Sequence, residues 1–430
     1  MTHSRWILPG ALAVFLIFPA TLFAQDKIDS GDTAWMLISS ALVMLMIPGL
    51  ALFYGGMVRS QNVLSTIMHS MIALGLITVQ WVVLGYSLSF GDDVGGVIGG
   101  LNYMFLQGVG VEAYGSIPHM VFMMFQGMFA IITPALISGA IAERMKFSTY
   151  CVFILLWSTL VYDPVAHWVW GEGGWLLALG ALDFAGGTVV HLNSGVSALV
   201  LAIMIGRRVS YEREPIYPSN LPMTMLGAAL LWFGWFGFNA GSALAANQSA
   251  VLAFTTTHIA AGTAALAWTL AEWIHAKKPS MLGTASGIVA GLVAITPAAG
   301  FVSPMGALVI GVLAGVVCYM AVLIKRPLGY DDSLDVFGIH GIGGLLGALL
   351  TGVLATTAFD PEGASGLLEG NAAQLGVQAV AVLATAAYAA IVTFIIVKVL
   401  DVTMGLRVEE EVEREGLDVI LHGEQGYRIS

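Results

Sequence analysis

The sequence predicts an all-α polytopic membrane protein with eleven transmembrane helices, arranged as two inverted five-helix repeats plus a final helix. Two observations carry that prediction at the outset. Of 430 residues 58% are hydrophobic and only 10% charged, against about 25% charged in ordinary soluble domains. The apolar residues also fall into separate runs, each of about the length that crosses a bilayer. The formal charge of −11 sits in loops and tail with no basic stripe, which argues against a nucleic-acid-binding face. Cys151 and Cys318 lie inside apolar runs, placed neither to staple an extracellular loop nor to build a metal cluster.

Taken in order, residues 1–24 read as a signal peptide. His3 and Arg5 precede an apolar run from Ile7 to Leu22, and Phe23-Ala24 precede the polar QDKIDSGD, which favours cleavage after Ala24. The alternative is an uncleaved extra span, for which the run is short of the ~20 residues needed. A membrane domain occupies residues 25–400. Its expected spans are 34–58, 64–90, 119–141, 149–170, 184–205, 221–242, 250–275, 281–297, 304–324, 336–356 and 375–400. Residues 401–430 form a cytoplasmic tail.

Loop charge is the third observation. Arg59, Arg144, Lys146, Arg207, Arg208, Arg213, Lys277, Lys278, Lys325, Arg326, Lys398, Arg407, Arg414 and Arg428 share one side if the spans alternate. The opposite loops carry Asp92, Asp93, Glu112, Glu172, Asp360, Glu362 and Glu369, with Lys27 as their one basic residue. The positive-inside rule then puts the mature N-terminus outside and the C-terminus in the cytoplasm.

Ionisable groups within spans are functional-site candidates by default, and two stretches stand out. Asp183–Gly195 reads DFAGGTVVHLNSG, and Asp335–Gly344 reads DVFGIHGIGG. In each an acid precedes a glycine-flanked histidine, His191 in the fifth span and His340 in the tenth. These spans are equivalent members of two repeats of opposite direction, so the two imidazoles are candidates for one midplane site. Two separate core histidines, each bonded to a backbone carbonyl, are the structural alternative. The flanking Val, Leu, Asn, Ile and Gly supply no third metal ligand. A hydrogen-bonded pair of neutral imidazoles instead offers one donor and one acceptor to a small polar solute. Most of the 52 glycines read as helix-packing positions.

Aromatic residues cluster towards the outer ends of other spans. Trp170 closes the fourth, Phe238 and Ser242 end the sixth, and Phe125 and Phe129 lie in the outer half of the third. Aromatic faces attract cations and a hydroxyl adds an acceptor, although an interfacial Trp is equally expected in the aromatic belt.

These motifs carry a family resemblance. GLALFYGGMVRSQNVLS (Gly49–Ser65), FQGMFAIIT (Phe125–Thr133), GAIAERM, AHWVWG, GALDFAGGTVVH, WFGFNAGSA, DVFGIHGIGG and the tail GLRVEEEVEREGLDVILHGEQGY together resemble ammonium transporters of the Amt/Mep type. The likeness covers nearly the whole mature chain, and the tail favours this branch over the Rhesus-type proteins. It implies an inner-membrane protein for nitrogen uptake, a transporter rather than an enzyme, without a cofactor. It also implies an external ammonium site of Phe129, Trp170 and Ser242, and gating phenyls Phe129 and Phe238 with Phe125 beside them. His191 and His340 fall on a twin-histidine motif, Trp235 lines the pore, and Asp183 is a buried acid supporting ammonium entry or deprotonation. The family is trimeric, with one pore per subunit, and PII signal proteins contact its bacterial members' tails. Glu172 departs from the family's glycine and adds an acid beside the recruitment site. Asp183 also fits a helix N-cap, and neither pattern nor resemblance gives Asp163 a role. An electroneutral ammonia channel, an ammonium sensor acting through its tail and a membrane metalloenzyme using the two histidines are the rival readings.

Overall fold

In a bilayer every backbone polar group must be satisfied within the protein, which leaves helices as the natural state of these apolar runs. The computed structural model describes residues 27–360 and 363–427; the expected signal peptide, Glu362 and Arg428 lie outside them. Among the described residues ten helices are long and apolar enough to cross a membrane: Ser30–Met57, Ser60–Phe90, His119–Ile141, Phe147–Leu179, Gly187–Ile205, Leu221–Ala240, Gln248–Ala276, Pro304–Leu328, Phe337–Leu354 and Ala372–Thr403. An eleventh apolar helix, Met281–Ile295, stands where the eighth span is expected. It has 15 residues, short of the ~20 a lipid-facing span needs. Nearly all of it is buried among other helices.

The two halves meet through equivalent members. The first span packs on the sixth, where a Cβ on Gly227 would lie 2.3 Å from the Phe53 nitrogen. Similarly, the fifth span packs on the tenth, and the histidines lie at that crossing. Close approach of backbones at small residues is the usual means of helix association in membranes.

Several spans are not continuous α-helix. π-Helical turns occupy Trp81–Gly85, Ser158–Tyr162, Gly187–Leu192, Phe236–Ala240 and Phe337–Gly341. Such turns recur at functional sites, and the last three hold His191, Phe238 and His340. One sequence boundary shifts for a physical reason. The fifth span starts at Gly187, three residues after the expected Phe184, because Gly186 has φ 109° and the preceding turn folds around the Asp183 carboxylate.

The loop between the second and third spans forms two small hairpins, Asp93–Val94 with Ile98–Gly99 and Ala113–Tyr114 with Ile117–Pro118. His167 Nε2 lies 2.9 Å from Asp93 Oδ1, and the Trp168 indole donates to the Val97 carbonyl at 2.7 Å. These contacts hold the loop over the third and fourth spans and bring Tyr114 onto Phe122, ring centroids 4.5 Å apart. At the opposite face, which carries the basic loops, the tail folds back as helices Glu410–Glu415 and Leu417–His422.

Candidate functional site

The site is built where the fifth and tenth spans cross. A Cβ on Gly195 would lie 2.2 Å from the Gly341 nitrogen, and one on Gly344 would lie 2.6 Å from the Gly187 carbonyl and 3.1 Å from the His191 Cβ. Each glycine follows a histidine by four residues, one turn along the same face. This reciprocal arrangement lets the two backbones touch and brings the rings together. His191 and His340 Nδ1 atoms are 3.2 Å apart, with ring centroids 5.3 Å apart. Both rings are buried. A single proton can occupy an Nδ1–Nδ1 bond, so a neutral pair presents one Nε2–H donor and one Nε2 lone pair. His191 Nε2 is buried and has no protein partner.

The expected aromatic residues form a continuous column leading to this pair. Trp170 meets Phe129 edge to face at 5.8 Å, and Phe129 stacks on Phe238 at 4.2 Å and 29°. Phe238 lies 5.9 Å from His191, and Trp235 stacks on His191 at 5.3 Å. The stacked phenyls separate two cavities. One, of about 250 Å³, is lined by Phe129, Trp170, Ser242, Gln126, Tyr114 and Phe122 among others. The second, of about 10 Å³, is bounded by Phe238, Trp235, His191, His340 and apolar side chains including Met46, Leu50 and Val190. A volume near 10 Å³ of this kind admits about one water-sized molecule.

Partners fix most of these side chains. The Trp170 indole donates to the Asp183 carbonyl at 2.9 Å, the Trp235 indole to Thr296 Oγ1 at 2.9 Å, and Ser242 Oγ to the Phe238 carbonyl at 2.9 Å. Phe125 packs behind Phe129, ring centroids 5.0 Å apart, and lines neither cavity. Asp183 is saturated: Oδ1 accepts from the Gly186 and Gly187 amides at 2.8 and 2.6 Å, and Oδ2 from the Thr188 and Val189 amides at 2.8 and 3.2 Å. The Thr188 hydroxyl also donates to Oδ2. Its carboxylate caps the helix that carries His191.

Asp163 lies away from the column, held between the second and fourth spans by Gln80 Nε2 at 2.7 Å and Ser89 Oγ at 3.3 Å. Thr188, Thr296, Gln126 and the two glycines escaped sequence reasoning. The shared H-x-x-x-G spacing in both histidine stretches was a usable signal for the glycines; a lone Thr or Gln in an apolar run gives none. Among the described residues no group of three or more His, Cys, Asp or Glu is placed to hold a metal.

Broken helices meeting between opposed halves, with small cavities strung along the contact, define a multi-pass membrane transporter. The chain belongs to the Ammonium Transporter Family, whose profile matches residues 34–427. An ammonium transporter of Bacillus subtilis (strain 168) is 52% identical, the match covering 93% of this chain and 99% of that one. Ammonium transporter Amt1 of Archaeoglobus fulgidus is 50% identical over 93% of this chain and all of its own. The crystal structure of Saccharomyces cerevisiae Mep2 superposes with a TM-score of 0.84 at 37% identity, covering 90% of this chain and 89% of that one.

Proposed function

We propose that ammonium binds in the larger cavity against Phe129, Trp170 and Ser242, loses its proton above the Phe129–Phe238 stack, and passes His191 and His340 as ammonia. The observation that carries this reading is the contrast across the stack. On one side, aromatic faces and a hydroxyl suit a cation with N–H donors. On the other lies a space for one small molecule, with apolar walls and two imidazoles. A bare ammonium or potassium ion entering there would lose its hydration without a compensating charge. A neutral ammonia donates to the free Nε2 lone pair and accepts from the Nε2–H.

Asp183 acts in this scheme as a positioning residue. Five donors already occupy its oxygens, and a proton taken there would displace the cap of the His191 helix. Phe125 supports the gating phenyl from behind. Ammonium minus a proton is ammonia, so the charge arriving with each ammonia counts the protons that follow by a separate route.

The wider arrangement follows the charge pattern and the family. Residues 25–400 form the membrane domain in the inner membrane, with the larger cavity outside and the tail, residues 401–430, in the cytoplasm. The protein works as a homotrimer with one path per subunit, and the tail face receives a PII signal protein. The reading is tested by ammonium uptake into proteoliposomes. Trp170→Ala and Ser242→Ala should each raise KM several-fold with little change in kcat; unchanged KM in both would contradict the assigned binding cavity.

A further inference from the structure

The larger cavity holds a polar side chain that nothing in the fold uses. Gln126 lines it, and among the described residues neither end of its amide has a hydrogen-bond partner. Its Oε1 is buried and unpaired. Leaving a buried polar group without a partner costs about 1–3 kcal/mol, and each such group in a folded protein calls for an explanation. Two other polar groups around the cavity are committed: the Trp170 indole N–H is given to the Asp183 carbonyl and the Ser242 hydroxyl proton to the Phe238 carbonyl. Ser242 retains lone pairs, but one hydroxyl is few acceptors for an ion with four N–H donors.

Position adds a second argument. Gln126 follows Phe122 by four residues and precedes Phe129 by three, so all three share one face of the third span, and all three line the cavity. At 1.5 Å rise per residue Gln126 stands about 4.5 Å along the helix axis from the gating phenyl, towards the roof where Tyr114 stacks on Phe122. The two amide ends exchange by a half-turn about χ3, a broad and nearly two-fold torsion, so the oxygen can be turned to the cavity.

We propose that Gln126 is a substrate-contacting residue, its amide oxygen accepting an N–H from ammonium between the Tyr114–Phe122 roof and the Phe129, Trp170 and Ser242 site. The inference rests on the binding cavity proposed above. Gln126 supplies affinity at the entrance, whereas the exclusion of potassium belongs to the histidine pair below, because a carbonyl oxygen serves either cation.

The test is the KM and kcat of ammonium uptake by the full-length protein in proteoliposomes, with Trp170→Ala run alongside. Gln126→Leu keeps the apolar volume and removes both amide ends. It should raise KM about tenfold, the loss expected for one hydrogen bond to a charged donor, with kcat within about twofold of the wild type. Gln126→Glu, which restores an acceptor, should bring KM back to or below the wild-type value. If Gln126→Leu fails to fold, Gln126→Met carries the same expectation. Unchanged KM in the Leu or Met variant, with Trp170→Ala still raising it, would overturn the role of Gln126 and leave the cavity assignment standing. Unchanged KM in Trp170→Ala as well would overturn both.

Discussion

Around His191 and His340 the protein buries polar rings among apolar side chains with no full charge on the cavity wall. At the tail face it buries Glu143, Arg144, Arg208, Asp331, Glu413 and Asp418, each 7% exposed or less. The six charged side chains are all paired. Arg208 reaches Asp331 at 2.8 and 2.9 Å and Glu143 at 3.1 Å, and Arg59 reaches Glu143 at 3.2 Å. Arg144 donates to the Ala140, Ala142, Gly206 and Asp331 carbonyls. Glu413 accepts from Arg407 and the Val209 amide, and Asp418 accepts from the Leu64 and Ser65 amides. Buried charges persist only with such matching. Beside the two cavities, by contrast, His191 Nε2 and Gln126 Oε1 have no partner. The paired charges hold the fold at the tail face; the open groups beside the two cavities are the ones the proposed solute would meet.

The most severe way to break the comparison is at the helix crossing. Gly195→Ala would place a Cβ 2.2 Å from the Gly341 nitrogen and 2.4 Å from its Cα, backbone atoms that cannot swing aside. Transport should fall by roughly a hundredfold or more, since a misplacement of about 1 Å at a working site costs about that much. Gly262→Ala, whose added Cβ meets nothing within 4 Å, should be neutral in the same uptake assay. Equal effects of the two substitutions would refute the packing account of the twin histidines.

Next in size is the charged lattice. Arg208→Met strands Glu143 and Asp331 without their shared partner, at a cost of about 3–5 kcal/mol seen as a lower thermal midpoint, while transport per folded molecule persists. Burial alone would raise both acids, but Arg208 and Arg59 hold Glu143, and Arg208 and Arg144 hold Asp331, below the ordinary values of 4.5 and 3.8. Lowered carboxylates contribute stability that is complete above those ordinary values and lost as pH falls through the folded ones. The wild-type midpoint should therefore fall with acid below about pH 4; in Arg208→Met burial is left to raise the two acids, so the acid-linked fall should shrink and the difference between variant and wild type should be largest at neutral pH.

Asp332 sharpens the contrast within the same loop. Its Oδ2 accepts from the Phe337 amide at 2.7 Å while Oδ1 has no partner. Burial first, and then the Asp335 charge, push it up from 3.8 to about 6 against the opposing pull of Lys325. The folded state prefers the protonated form, so the destabilisation grows as pH rises from 3.8 and is full above about 6. Asp332→Asn should raise the thermal midpoint at pH 8 by the equivalent of about 2–3 kcal/mol, and by less at pH 5. An equal change at both pH values would count against it.

The smallest effect expected is at Glu172. Its side chain is exposed, and its charge reaches Tyr114 at the roof of the larger cavity. Glu172→Gln should raise KM for ammonium by no more than about twofold at 0.01 M salt and leave it unchanged at 0.15 M, as screening requires.

Legibility followed the range of the interactions. Hydropathy marked the spans because each run is long and local, and the third, His119–Ile141, came out to the residue. The matched Asp-to-His stretches pointed to a meeting of His191 and His340 because repeat symmetry is written in the chain. Asp183 as a cap was legible from its place before a helix. Gln126 was not, because a single polar residue in an apolar run carries no period. Nor was the tail latch: Asp418 binds amides 353 and 354 positions away, a pairing that composition and charge pattern do not encode. The π-helical turns were equally hidden, since an extra residue in one turn leaves the apolar pattern nearly intact.

The central claim is that no cation passes the histidine pair, and the most direct measurement is the current in proteoliposomes after matched ammonium and potassium concentration jumps, with lumen pH read in parallel. The account predicts ammonia delivery on the ammonium jump and no potassium current in the wild type, with potassium admitted or ammonium transport lost in His191→Ala. A wild-type potassium current comparable to the ammonium response would contradict it, because a path that carries a bare cation has no need to remove a proton.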